Sequence, residues 1–119
     1  MKKQVKVVKE DEISSVSFGK GHALRRLITK KREGSEKIML GISRMEPSFE
    51  YIWTSGGPGE PEDEIYYMIK GSIELFYDDK KVEAKEGEAV YLPAGHRYRS
   101  VVSSDGPAVI VYALTPPIE

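Results

Sequence analysis

Glu64-Ile65-Tyr66-Tyr67-Met68-Ile69-Lys70-Gly71 is followed, one hairpin later, by Gly87-Glu88-Ala89-Val90-Tyr91-Leu92-Pro93-Ala94-Gly95. Both segments read as short strands stopped by glycine or proline. In the first, period-two alternation places Glu64, Tyr66 and Met68 on one face and Ile65, Tyr67 and Ile69 on the other. Gly71 and Gly87 stand at turns where a positive φ is cheap only for glycine, and Pro93-Ala94-Gly95 makes a corner. Between the segments, Ile73, Leu75 and Tyr77 lead into Asp78-Asp79-Lys80, a hairpin turn, and Val82 to Lys85 returns.

The same pattern extends in both directions. Ala23 to Thr29 reads as a first strand, Arg32 to Glu36 as a turn, and Lys37 to Met45 as a second strand with Ile38, Leu40 and Ile42 on one face. Pro47 stops it. Phe49, Tyr51 and Trp53 then alternate with Glu50, Ile52 and Thr54. Gly56-Gly57-Pro58-Gly59-Glu60-Pro61 is too rich in glycine and proline for regular structure. Downstream, Tyr98 to Ser103 and Ala108 to Leu114 are the last strands. About nine short strands without a helical period predict an all-β sandwich or barrel in a single domain. Residues 21–119 form the barrel; residues 1–20 are an arm or edge strand, with Val5, Val7 and Val8 as its apolar positions.

The 119 residues carry 18 Lys plus Arg against 19 Asp plus Glu. That balance argues against nucleic acid, which needs a concentrated positive field. No apolar run approaches the ~20 residues of a membrane span, so no membrane partner is expected, and a soluble cytoplasmic protein is the default. The absence of cysteine rules out thiolate ligands and a cysteine nucleophile. Gly56 to Gly59 lacks the Lys-Ser/Thr of a phosphate-binding loop, and no nucleophile elbow flanks any serine.

Glu64, six residues, then Gly71; and Gly87, five residues, then Pro93-Ala94-Gly95: in these two spacings, across roughly residues 35 to 114, the chain resembles the cupin family. The resemblance implies a jelly-roll, the double-stranded β-helix barrel, with Glu64 facing inward beside Tyr66 and Met68. It further implies that the strand after Pro93 neighbours the Glu64 strand and brings Tyr98 opposite. The family's metal site resembles three histidines plus that glutamate around a divalent ion. The first two histidine positions fall on Pro58 and Glu60, or on Tyr51 and Trp53 if the glycine-rich loop is an insertion; the third falls on Tyr98. Of the four, only Glu64 matches. His96 is a substitute ligand, and Glu60, Glu62 and Glu64, which alternate, supply carboxylates; His22 is the only other histidine.

Glu64 is the candidate catalytic group, since an inward carboxylate must be neutralised, paired or coordinated. Tyr51, Trp53, Tyr66, Met68, His96 and Tyr98 are the candidate ligand contacts, their aromatic faces giving apolar contact and their polar tips orientation. Glu60, Glu64 and His96 are the candidate metal ligands. The alternatives are a solvated corner histidine for His96, a solvated loop carboxylate for Glu60, and interlocked core for the aromatics. The leading reading is a barrel that binds a small organic molecule with a degenerate or absent metal site and no established cofactor. A metal-dependent dioxygenase, lyase or isomerase using Glu64, His96 and loop carboxylates is the second. A structural or interaction module is the third. A homodimer is expected, from the valine-bearing arm and the open sheet edges of a two-layer jelly roll.

Overall fold

The computed structural model describes residues 2–54 and 62–118. Nine strands follow one another: β1 (His22–Ile28), β2 (Met39–Met45), β3 (Glu50–Thr54), β4 (Asp63–Lys70), β5 (Ser72–Tyr77), β6 (Lys80–Lys85), β7 (Ala89–Leu92), β8 (Arg97–Val102) and β9 (Ala108–Thr115). They form two antiparallel sheets, one ordered β1-β2-β9-β4-β7 and the other β3-β8-β5-β6. The sheets pack face to face as a jelly-roll. No helix among the described residues is long and apolar enough to cross a membrane.

The turns follow from their residues. Asp78 and Asp79 both take positive φ, 48° and 61°, the backbone of a two-residue hairpin turn whose twist matches its strands. Gly71 takes φ 76°, and a Cβ there would meet Pro107 O at 2.6 Å. Both its conformation and its contact with the β8–β9 connection therefore require glycine.

Residues 30–33, partly inside the predicted turn, instead make one helical turn, α1 (Lys30–Glu33). Its cause is local. The Thr29 hydroxyl accepts from Arg32 N–H at 3.0 Å, the Glu33 carboxylate accepts from Thr29 N–H at 2.7 Å, and Gly34 closes the turn at φ 78°. These are the reciprocal contacts of a helix cap.

Alternation decides what each sheet buries. On β2 the barrel face carries Met39, Gly41, Ser43 and Met45, so Ile38, Leu40 and Ile42 share the outer face. Met39, Met68, Leu92, Tyr98, Ile73, Leu75, Val102 and Ala108 form the centre of the core, each at most 4% exposed. The implied neighbourhood of β4 and β8 is corrected. β4 lies between β9 and β7, whereas β8 lies between β3 and β5 in the opposite sheet. Tyr98 therefore faces β4 across the core and is paired laterally with Trp53.

The arm lies against β1 and β2. A 3-10 turn at Glu10–Glu12 is held by the Glu10 carboxylate between Arg44, at 2.8 Å, and Arg25, at 3.4 Å. Val16 makes an isolated two-bond bridge to Leu24 on the edge strand β1.

Candidate functional site

Between the sheets lies a cavity of about 300 Å³, within the range of small-molecule sites. Its wall is a run of aromatic rings. Phe49 stacks on His22 at 4.7 Å, His22 on Phe18 at 5.6 Å, Phe18 contacts Tyr51 at 5.3 Å, and Tyr51 stacks on Trp53 at 5.4 Å. Period two puts most of them there: Tyr51 and Trp53 share the inner face of β3, with Phe49 in the same parity just before it, and His22, Leu24 and Arg26 the inner face of β1. The polar lining comes from Glu62, Glu64 and Tyr66 at β4, Ser43 on β2 and Tyr112 on β9.

Glu64 is flanked within its sheet by Leu92 and Leu114. Burial, reinforced by the neighbouring Glu62 carboxylate, pushes its carboxyl up to about 7. A carboxylate surrounded by apolar groups and a like charge holds its proton more tightly. Burial also raises Glu62. The Tyr66 phenol is 5% exposed and lines the cavity, and its hydroxyl has no hydrogen-bond partner among the described residues. Burial first, then Glu64, pushes its pKa above the ordinary phenol range, so the hydroxyl keeps its proton.

His22 is held in one tautomer. Phe18 N–H donates to Nδ1 at 3.0 Å, so Nε2 carries the proton and donates to Ser43 Oγ at 2.9 Å. Burial lowers its pKa, which favours that neutral form. With Nε2 protonated, His22 offers Ser43 no lone pair, and the two do not form a nucleophile–base pair.

Of the residues expected from sequence, Tyr51, Trp53, Glu64 and Tyr66 line this cavity. Met68 is fully buried and Tyr98 is 1% exposed; neither lines it. Tyr98 lies behind Trp53, ring centroids 5.3 Å apart, and donates its hydroxyl to Pro93 O at 2.6 Å. His96 and Glu64 do not share a cavity. His96 Nδ1 lies 2.8 Å from Asp78 Oδ2, and its ring meets the edges of Tyr77 and Tyr98 in a separate surface depression. Asp78 holds it on the far side of Tyr98. Glu60, like Pro58, lies outside the described residues. The residues not anticipated are His22, Phe18, Arg26, Ser43 and Tyr112. For His22, Arg26 and Ser43 the inner parity of β1 and β2 was the only signal in the sequence, and for Tyr112 that of β9; Phe18, on the arm, carried none.

Among the described residues, Tyr51, Trp53 and Tyr98 do not fit the four-ligand metal arrangement. Trp53 has no lone pair to give, the Tyr98 hydroxyl is committed to Pro93, and Tyr51 keeps a phenol raised by burial. No cluster of three or more histidine, aspartate or glutamate side chains capable of holding a metal ion occurs among the described residues.

The sequence profile of the Cupin domain matches residues 51–114. The chain is a cupin. Over 65 residues this cupin is 31% identical to acetate kinase EutQ of Clostridioides difficile (strain 630), a match covering 55% of the chain and 38% of that protein. It thus spans well under half of that curated relative's length. The structure of the Clostridium difficile EutQ protein superposes with a TM-score of 0.66 at 26% identity, covering 96% of this cupin and 76% of that chain. KdgF from a Halomonas species superposes with a TM-score of 0.79 over 98% of this cupin and 97% of that chain, at 12% identity. At that identity the likeness is one of fold.

Proposed function

We propose that this cupin binds a small organic molecule inside its barrel and exchanges a proton with it through Glu64. The observation that carries the reading is the cavity of about 300 Å³, in which a carboxyl raised to about 7 adjoins a buried Tyr66 hydroxyl with no partner among the described residues. A general acid–base group works best with a pKa near the working pH. The phenol supplies a hydrogen bond that a ligand oxygen or nitrogen completes. The aromatic wall gives apolar contact, and His22, fixed in its neutral tautomer, gives Ser43 a defined orientation. A metal-free isomerisation or dehydration is the class of step this set supports.

The acetate kinase activity in the name of the Clostridioides difficile relative does not transfer readily. The acidic groups Glu62 and Glu64 line the cavity, and Gly56 to Gly59 carries no Lys-Ser/Thr to cradle a phosphate.

The test is mass spectrometry of ligand co-purified with the chain, joined to elemental analysis. An organic molecule that is retained by the wild type and lost in Tyr66→Phe and Glu64→Gln supports the reading. Stoichiometric iron or manganese lost in Glu64→Gln moves the assignment to a metal-dependent enzyme. Retention of the molecule by both variants removes it from this cavity. We further propose that the cupin works as a homodimer. Val5 and Val7 on the arm stand 94% and 91% exposed, and the edge strand β1 is met by the arm only at the Val16 bridge among the described residues.

A further inference from the structure

The basic side chains near Glu64 in the sheets are engaged elsewhere. Arg25 and Arg44, on the outer faces of β1 and β2, both meet Glu10, and Arg99 on β8 meets Glu50. Arg26 is the one basic residue among the described lining of the cavity. Its guanidinium lies 5.9 Å over the Phe18 ring. Burial raises the Tyr51 phenol, and Arg26 acts against that rise; it does not act on Glu64. Glu64 has no hydrogen bond or ion pair among the described residues, and the charge beside it is the like charge of Glu62. The described lining thus sets two carboxyls against one guanidinium, and His22, held neutral, adds no charge.

The apolar part of the wall also favours positive charge. It presents the rings of Phe18, Phe49, Tyr51 and Trp53 to the cavity, and an aromatic face carries the negative side of its quadrupole toward whatever lies over it. Arg26 over Phe18 is the protein's own instance of that contact. The Tyr66 hydroxyl is a separate sign of a missing partner. Its residue is 5% exposed, it lines the cavity, and it has no hydrogen bond among the described residues. Being two positions from Glu64 on one strand, it shares that face of β4 and offers a lone pair to a donor.

We propose that the ligand of this cavity is a small organic ammonium ion, its N–H groups donating to Glu64 and to the Tyr66 oxygen and its carbon skeleton lying against Tyr51 and Trp53. The proposal rests on the reading of the barrel as a small-molecule site and names the class of molecule. An anion would face two carboxyls where water does not screen them. A neutral molecule would leave the Glu64 carboxylate buried without a countercharge. A bare metal ion needs lone-pair donors on several sides, and this wall offers ring faces instead. An ammonium ion meets the carboxylate, the phenol and the rings together. The volume of about 300 Å³ accommodates one ring or a short branched chain beside the nitrogen.

The test is titration calorimetry of the full chain with benzylamine, benzyl alcohol and benzoate, which carry one ring and a charge of either sign or none. At neutral pH the amine is protonated and the acid ionised. Benzylammonium should bind the wild type at least tenfold more tightly than benzyl alcohol, and benzoate more weakly than either. In Glu64→Gln the advantage of the ammonium over the alcohol should disappear, while the affinity for the alcohol stays within about threefold. A wild type that binds the alcohol as tightly as the ammonium overturns the cation and leaves the barrel standing as a small-molecule site. A preference for the ammonium that persists in Glu64→Gln removes the cation from this carboxyl and overturns the proposal in the same way. Absence of binding by all three compounds overturns the small-molecule site itself, and the cation with it.

Discussion

Glu64 carries a folded-state carboxyl pKa of about 7 against a reference of 4.5, and that difference has a sign. The folded chain binds the proton more tightly than the unfolded chain, so Glu64 costs nothing below about pH 4.5. As pH rises from there to about 7, stability falls, and above 7 the loss is constant, on the order of 3 kcal/mol. Glu64→Gln, which keeps the shape and removes the titration, should therefore raise the melting temperature at pH 8 and change it little at pH 4.5. Thermal unfolding at the two pH values checks this, and an equal shift at both would show that burial does not perturb Glu64. Tyr66→Phe tests the neighbouring hydroxyl. Removing a buried polar atom that lacks a partner relieves a desolvation cost, so the variant should be at least as stable as the wild type, by up to about 1 kcal/mol. A loss of more than that in denaturant unfolding would mean that the hydroxyl is bonded in the free protein.

Among the elements, the turn between β4 and β5 is the most constrained. Gly71→Ala meets two costs, a left-handed φ of 76° and a Cβ 2.6 Å from Pro107 O. Gly87, at φ 86°, has nothing within 4 Å of a built Cβ and meets only the first. Gly87→Ala should cost about 1 kcal/mol and Gly71→Ala about 3 kcal/mol, since Pro107 O and Ala108 Cα beside it are backbone atoms that do not give way. Urea unfolding of the two variants separates conformational strain from crowding; equal losses would show that the crowding relaxes. The existence of the nine strands was legible in the sequence because each is a run of alternating residues bounded by glycine, proline or acidic turns. The inner parity of β4 was legible for the same reason, and Glu64 and Tyr66 line one cavity. The helical turn α1 was not, because four residues carry no period and its cap depends on the Glu33 side chain reaching back to Thr29 N–H. Nor was the separation of His96 from Glu64. That depends on which sheet β8 joins and on a contact with Asp78, and neither is written in local spacing. The wall of Phe18, His22 and Phe49 joins residues from the arm, β1 and the turn before β3, which only the closed fold brings together.

At the scale of the whole molecule, the barrel is stabilised by its own side chains. Residues 84, 92, 98, 102 and 108 are all nearly inaccessible, and among the described residues the side chains at the family's metal positions, Tyr51, Trp53 and Tyr98 beside Glu64, are not a donor set that a divalent ion needs. A chelator should therefore leave the melting temperature unchanged, whereas a structural ion would contribute stability that chelation removes. A fall of more than about 3 °C in EDTA, on the order of 1 kcal/mol for a domain of this size, would overturn that.

The chain contains a single tryptophan, and the fold places it at Trp53 in the cavity wall, between Tyr51 and Tyr98. No second indole dilutes its signal. Intrinsic fluorescence excited at the indole band is thus a readout of this one wall. A ligand entering the barrel must change the polarity and quenching around the only emitter present, so the protein carries its own optical probe for screening small molecules without a label.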